Sequence, residues 1–311
     1  MTRKIGVIGG GRFGQGLVKA CASNDHRVIH ISRKTLDETE RVRLSSSIED
    51  IAEASLIFVA VPSSHIESIV KSLSGILDGR HKIVHVSRGL VGDDMTPITK
   101  IFSERTASRR VGVLAGPLSA GALLERTPTG AVVGTHFTEV ATAVREAIGS
   151  DVLRVYDTDD AEGVQIASAL VGLLSVIVGF AFEIGVGPGA LSVLAARGIA
   201  EASRIGERMG AKPITFFGLA GVGDLMAAIA NDGRPETLVG RSIARGMNRS
   251  SVAESAGSFI EGLDLAHRVN AYVERLEIDA PITQTLVSVI DGSIDAQHAI
   301  SELMKRQPGR E

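Results

Sequence analysis

The sequence predicts an α/β fold: an N-terminal doubly wound parallel sheet, then an all-α C-terminal domain. Three observations carry that expectation. An apolar, β-branched run at the N-terminus opens directly onto a glycine-spaced turn. Short strand-like runs then alternate with helical stretches to about residue 158. From about Asp159 the strand-like runs stop and long helical stretches take over. Residues 1–158 are therefore read as a Rossmann domain and residues 159–311 as an all-α domain.

The elements follow in order. Lys4-Ile5-Gly6-Val7-Ile8 suits a strand buried on both faces. It runs into Gly9-Gly10-Gly11-Arg12-Phe13-Gly14, in which Gly9, Gly11 and Gly14 fit the G-x-G-x-x-G dinucleotide pattern. Gly9 allows the tight turn, Gly11 lets backbone approach a pyrophosphate, and Gly14 lets the next helix, Phe13 to Ser23, pack close to the strand. The N-terminus of that helix offers N–H groups and partial positive charge to phosphates. Gly9, Gly11, Arg12, Phe13 and Gly14 are the first candidate cofactor contacts. The alternative is a glycine-rich turn without a ligand.

His26 to Ser32 reads as the second strand. An acidic residue at its end would favour NAD, but the chain has Ser32-Arg33-Lys34, which can hold a 2′-phosphate through charge-assisted hydrogen bonds. The cofactor is thus NADP or NAD, with a lean to NADP; the alternative is a solvated basic turn. Ser47 to Ala54 is a short helix. Leu56 to Val61 is a buried strand broken by Pro62-Ser63-Ser64 at its carboxyl end, where ligands collect in open α/β sheets. Pro62 joins the candidate contacts. Ile66 to Leu77 has helical periodicity. Strands follow at Lys82 to Val86, before Ser87-Arg88-Gly89-Leu90, and at Arg110 to Leu114, before Ala115-Gly116-Pro117. Ala131 to Gly134 and Val152 to Tyr156 complete a parallel sheet.

In the second half, Ala161 to Phe182 reads as one long buried helix and Leu191 to Met209 as an amphipathic one. Phe217 to Leu225 is a glycine-rich junction leading into a helix. Further helices are expected at Ala253 to Leu276, Thr283 to Asp291 and Asp295 to Arg306, with a frayed tail at Pro308 to Glu311.

Composition narrows the function classes. A chain of 311 residues, 44% hydrophobic, can bury a large core. A net charge of −3 argues against nucleic acid or membrane surfaces as main partners. With no tryptophan, nine phenylalanines and two tyrosines, base stacking has little support. The single cysteine, Cys21, allows no intrachain disulfide and fits a reducing cytoplasm. A strand within the first residues leaves no room for a signal peptide. The longest apolar stretch, Leu170 to Phe182, is shorter than a membrane span. No H-E-x-x-H or Cys/His cluster suggests a metal site. His65 and His85, near the sheet edge, read as structural. A cytoplasmic protein without nucleic-acid binding or membrane insertion is expected.

The motifs, in order, resemble the NAD(P)-dependent glycerol-3-phosphate dehydrogenase family over nearly the whole chain. They are Gly9 to Gly16, Val59 to Ser63, Ser87 to Leu90, Ala115-Gly116-Pro117, Pro128-Thr129, Glu162-Gly163-Val164, Ala196-Arg197-Gly198, Thr215-Phe216 with Gly218 to Leu225, Ile260-Glu261-Gly262, and Ala280 to Thr283. The resemblance implies hydride transfer between a nicotinamide and dihydroxyacetone phosphate, a small phosphorylated substrate. It also implies a homodimer formed through the helical domain, and cofactor contact by Glu261. In the family a buried lysine handles the proton, and a second lysine helps hold the substrate.

This chain departs from the family where that chemistry occurs. Val171 and Gly172 stand at the family's catalytic lysine and following asparagine. Arg88 replaces the lysine of its Lys-Gly-Leu motif; arginine holds anions but is a poor acid–base group. Gly121 and Ala122 replace a Lys-Glu pair, Pro188 and Gly189 an Asp-Asn pair, and Arg234 to Thr237 a Ser-Arg-Asn-Arg segment. Asp224 and Arg197 match the family. Asp224 and Arg88 are therefore the candidate catalytic groups, and Arg88, Gly116, Ser119 and Arg197 the candidate substrate contacts. Asp224 also reads as a helix N-cap, Arg88 as a structural surface residue, and Arg197 as half of a salt bridge. Three readings remain: a dehydrogenase with altered substrate or proton donor, a glycerol-3-phosphate dehydrogenase with weakened chemistry, and a catalytically silent NAD(P)-binding sensor or partner subunit.

Overall fold

The computed structural model describes residues 2–34, 36, 38–230, 233–247, 252, 261–295, 298 and 299. The strands are β1 (Lys4–Ile8), β2 (Arg27–Ile31), β3 (Val42–Ser45), β4 (Leu56–Val59), β5 (Lys82–His85), β6 (Arg110–Ala115), β7 (Thr129–Gly134) and β8 (Leu153–Thr158). They form one sheet in the order β3-β2-β1-β4-β5-β6-β7-β8. The central strands are continuous apolar runs because helices cover both faces.

The neighbouring pairs from β3 to β6 are parallel, as the alternation predicts. The β6–β7 pair is antiparallel, which corrects the expected wholly parallel sheet. The reason is the short connection. Between Ala115 and Thr129 the only helix, α4 (Ala120–Glu125), has 6 residues and cannot carry the chain back along the strands. The next link contains α5 (Thr138–Ile148), 11 residues long, and β8 lies parallel to β7.

One face of the sheet packs α1 (Arg12–Ser23) and α5 through Leu17, Val18, Cys21, Val140 and Val144. The other packs α2 (Ile66–Leu73) and α3 (Ile98–Arg105) through Ile66, Val70, Ile98 and Phe102. The helices α3, α4 and α5 and the edge strand β3 were not expected from sequence. The segment at residues 47–54 is a 3₁₀ turn, Ile48–Glu53.

The second half is built around α6 (Ala161–Glu183), 23 residues long. It is long and apolar enough to cross a membrane, but 89% of its most apolar window is buried inside the protein. Around it lie α7 (Pro188–Arg208), α8 (Pro213–Phe216), α9 (Asp224–Ala230), α10 (Pro235–Ala244), α11 (Glu261–Arg275) and α12 (Pro281–Ile290). The α6 and α10 backbones touch: a Cβ on Gly240 would lie 1.9 Å from the Val176 carbonyl oxygen. Glu201 of α7 is buried and accepts the Ile282 and Thr283 N–H groups at 2.8 Å, tying α7 to the start of α12. Burial raises its pKa, partly offset by those hydrogen bonds. The expected helix at 253–276 is described from Glu261 to Arg275; residues 253–260 lie outside the described residues. So do most of 295–306 and all of 308–311.

Candidate active site

The site forms where the sheet's carboxyl edge meets the helices around α6. The turn after β1 presents Gly9 at φ +129°, a left-handed conformation that favours glycine. Its N–H donates to the Ile31 carbonyl at 3.0 Å. Its carbonyl is 2.9 Å from His30 Nε2, which donates to it. A Cβ on Gly9 would lie 2.1 Å from the Ala60 carbonyl oxygen, and one on Gly14 would lie 2.0 Å from the Gly9 carbonyl oxygen. The strand, turn and helix are therefore in backbone contact. Burial lowers the His30 pKa, against the opposing pull of the Gly9 hydrogen bond.

Gly11 is the N-cap of α1 and is exposed, and no side chain caps the helix. That helix end offers N–H groups to an anion, as a dinucleotide pyrophosphate requires. Arg12 is exposed and Phe13 packs against the core. At the end of β2 the buried Ser32 hydroxyl accepts from the Lys34 N–H at 2.9 Å and donates to the Lys34 carbonyl at 3.2 Å. This closes a turn with Arg33 and Lys34 exposed. A Cβ on Gly10 would meet Ser32 Oγ at 2.1 Å, so the basic turn adjoins the glycine turn. Pro62 is half-buried at the end of β4. The ends of β4 and β5 are joined by Ser87 Oγ donating to the Val61 carbonyl at 2.6 Å. Glu261 begins α11, and its side chain lies outside the described residues.

Substrate-side groups come from both halves. After β6, Gly116 has φ +107° and faces Leu219, and Ser119 caps α4 by accepting from the Ala122 N–H at 3.0 Å. Leu219–Gly223 forms a π-type turn, with the Gly223 N–H donating to the Gly218 carbonyl at 3.1 Å. Such turns often occur at functional sites. The turn delivers Asp224, the first residue of α9, into the interior at 0% exposure.

Asp224 is met by two guanidinium groups. Arg88 Nη1 donates to Oδ2 at 2.7 Å and Nη2 to Oδ1 at 3.3 Å. Arg234 Nη2 donates to Oδ1 at 2.8 Å, and its Nη1 to the Asp224 carbonyl at 2.8 Å. Glu236 Oε1 lies 3.9 Å from Arg88 Nε. Paired, hydrogen-bonded burial is what makes a buried carboxylate tolerable. The structure thus brings Arg88 and Asp224 together and adds Arg234 and Glu236, neither of which was among the expected site residues. Arg197 is on the exposed side of α7. Glu183, at the end of α6, accepts from Arg245 Nε at 2.7 Å and so braces α6 against the end of α10.

Val171 is fully buried on α6, and Ser175 Oγ donates to its carbonyl at 2.8 Å. It can exchange no proton. Gly172, beside it, is buried, yet an added Cβ would meet nothing within 4 Å.

Comparison with known proteins agrees along the chain. Residues 36–141 match the NAD-dependent glycerol-3-phosphate dehydrogenase N-terminus, and residues 160–301 match its C-terminus. The glycerol-3-phosphate dehydrogenase [NAD(P)+] of Shouchella clausii is 31% identical over 327 residues, covering 98% of this chain and 96% of that protein. The enzyme of the same name from Macrococcus caseolyticus is 27% identical over 330 residues, covering 99% of each. The crystal structure of glycerol-3-phosphate dehydrogenase from Coxiella burnetii superposes with a TM-score of 0.88 at 21% identity, covering 98% of this chain and 99% of that one.

Proposed function

The chain belongs to the NAD-dependent glycerol-3-phosphate dehydrogenase family, and we propose that it interconverts sn-glycerol 3-phosphate and dihydroxyacetone phosphate with NAD(P). The observation that carries this reading is the glycine turn, whose backbone geometry suits a dinucleotide, in a chain that matches those enzymes end to end. Residues 1–158 form the dinucleotide domain and residues 159–311 the domain for substrate and dimerisation. The protein works as a cytoplasmic homodimer.

Gly9, Gly11, Arg12, Phe13 and Gly14 hold the pyrophosphate end of the cofactor. Ser32 shapes the turn that places Arg33 and Lys34 on the adenosine side, and Pro62 and Glu261 complete the contacts. Arg33 and Lys34 favour a 2′-phosphate, so NADP is the preferred partner. When bound, the nicotinamide supplies the hydride.

Arg88 and Arg234 hold the anionic part of the substrate, with Gly116, Ser119 and Arg197 around it. Asp224 accepts from both guanidiniums at 2.7–3.3 Å, so its role is to hold them in place. Asp224, a candidate catalytic group by sequence, is thus given a positioning role. With valine at position 171 no lysine delivers the proton there, and turnover is slow. Losing a general acid–base group typically costs about 10²–10⁴-fold in rate.

Two titrations test the reading. NADPH fluorescence should respond to protein, and NADPH should bind more than about 10-fold tighter than NADH. A single charge-assisted hydrogen bond supplies that much. Dihydroxyacetone phosphate should then oxidise the bound NADPH. Binding without oxidation would leave the silent sensor or partner subunit as the function.

A further inference from the structure

A second buried network lies directly beneath the Arg88 loop. Gln165, on the second turn of α6, and His85, at the end of β5, are both 0% exposed. Gln165 Oε1 accepts from His85 Nε2 at 3.1 Å, from the Thr99 N–H at 3.3 Å and from Thr99 Oγ1 at 3.5 Å. Gln165 Nε2 donates to the Gly89 carbonyl at 3.4 Å. The amide can sit only one way round, because the Thr99 N–H can only donate and the Gly89 carbonyl can only accept. His85 must therefore carry its proton on Nε2. Burial pushes its pKa down to about 3. The whole network is uncharged.

One side chain thus joins four pieces: β5, the start of α3, the loop after β5, and α6. Its bond to that loop falls on Gly89, beside Arg88. On the other side of Arg88, Ser87 is tied to Val61. Further on, Arg268 Nη1 donates to the Leu90 carbonyl at 2.8 Å. The backbone that launches the Arg88 guanidinium towards Asp224 is held at 87, 89 and 90.

We propose that Gln165 is a positioning residue that, with His85, fixes the Ser87–Leu90 backbone and thereby the placement of the Arg88 guanidinium. The proposal rests on Arg88 acting as an anion anchor. Glutamine is the residue the geometry needs. A carboxylate would turn an acceptor towards the Gly89 carbonyl, and an apolar side chain would leave buried groups unpaired. Displacing a binding group by about 1 Å can cost 10²-fold, so a residue that never touches substrate can matter at that scale.

The test uses the full chain with saturating NADPH and two variants, Gln165→Met and Gln165→Glu. Two quantities are read: hydrogen exchange of the amides from Val86 to Val91, and the affinity for inorganic phosphate. In Gln165→Met, exchange in that segment should rise at least 10-fold and phosphate affinity should fall at least 10-fold. NADPH affinity should stay within 2-fold of wild type. In an Arg88→Ala background the same substitution should cost no further phosphate affinity, an interaction that a merely structural role would not produce. Gln165→Glu keeps the shape and the His85 contact, and carries the test if the methionine variant does not fold; both losses should appear in it, smaller. A wild-type NADPH complex that takes up no phosphate removes the anchor reading and the proposal with it. Intact phosphate uptake with unchanged exchange at 86–91, or full additivity with Arg88→Ala, overturns the proposal alone.

Discussion

The glycine turn after β1 and the ion-pair cluster that joins the loop after β5 to α9 and α10 are built in different ways. The turn works through backbone: a positive φ at Gly9, carbonyl contacts that exclude any Cβ, and a helix end that no side chain caps. Only glycine fits there, so the turn stays readable in a chain 27–31% identical to its relatives. The cluster works through side-chain chemistry, where each position can be filled differently without unmaking the fold. Arg88 and Arg234 fill two of its positions. Under the proposed function, cofactor binding would rest on a part that resists change, and the speed of the reaction on one that does not.

The largest effect should come from restoring the changed side. Val171→Lys with Gly172→Asn places an amine where the proposed function lacks its proton carrier and an amide where an added Cβ meets nothing. Turnover with dihydroxyacetone phosphate should rise by about 10²–10⁴-fold. An unchanged steady-state kcat in a folded double variant would dissolve the contrast between the two regions.

Removing the carboxylate that the two guanidiniums share should come next. Asp224→Ala leaves the nearly buried Arg234 and the half-buried Arg88 without their common partner. Breaking a buried pair costs about 3–5 kcal/mol, read by urea unfolding, with NADPH affinity preserved in the folded fraction. The mirror experiment is Gly9→Ala, which strains a positive φ and drives a methyl group into the Ala60 carbonyl. NADPH affinity should fall by more than about 100-fold, because strain of this kind costs about 1–3 kcal/mol before the steric clash is added. Equal loss of phosphate affinity in both variants would show the two regions to be one unit.

The smallest effect is acid sensitivity. Burial lowers the His85 pKa from 6.5 to about 3, and lowers that of His30 as well. Between those two pH values the unfolded chain binds more protons than the folded one. The stability from neutral His85 is therefore complete above pH 6.5 and is lost as pH falls towards 3. From pH 6.5 to 5 the loss should be about 2 kcal/mol. His85→Gln should flatten that part of the profile, and an unaltered slope would contradict it.

Much of the first half was legible because a strand buried on both faces and a glycine turn leave strong local patterns. The direction of β7 was not, since an apolar run reads alike in either orientation. The signal lay in the 13 residues between Ala115 and Thr129, too few for a crossover to a parallel strand. The short polar strand β3 and the short helices α3 and α4 lack the periodicity that marks longer elements. In the site, Arg88 and Asp224 were picked out separately by motif, but their pairing spans 136 residues and no spacing rule reaches so far. Arg234 carries no matching motif, so nothing local marks it as the second partner of Asp224. The available clue was an arginine just before the proline that opens α10. Gln165 and His85 look like ordinary core-facing polar residues in sequence, and their partnership exists only once the fold brings the start of α6 to the end of β5.

The most direct measurement follows the hydride itself. Protein, dihydroxyacetone phosphate and NADPH carrying deuterium at the transferred position of the nicotinamide are incubated together, and the product is analysed by mass spectrometry. Glycerol 3-phosphate with one deuterium on the central carbon should accumulate slowly in wild type and rapidly in Val171→Lys/Gly172→Asn. Bound NADPH with no deuterium reaching carbon in either protein would contradict it.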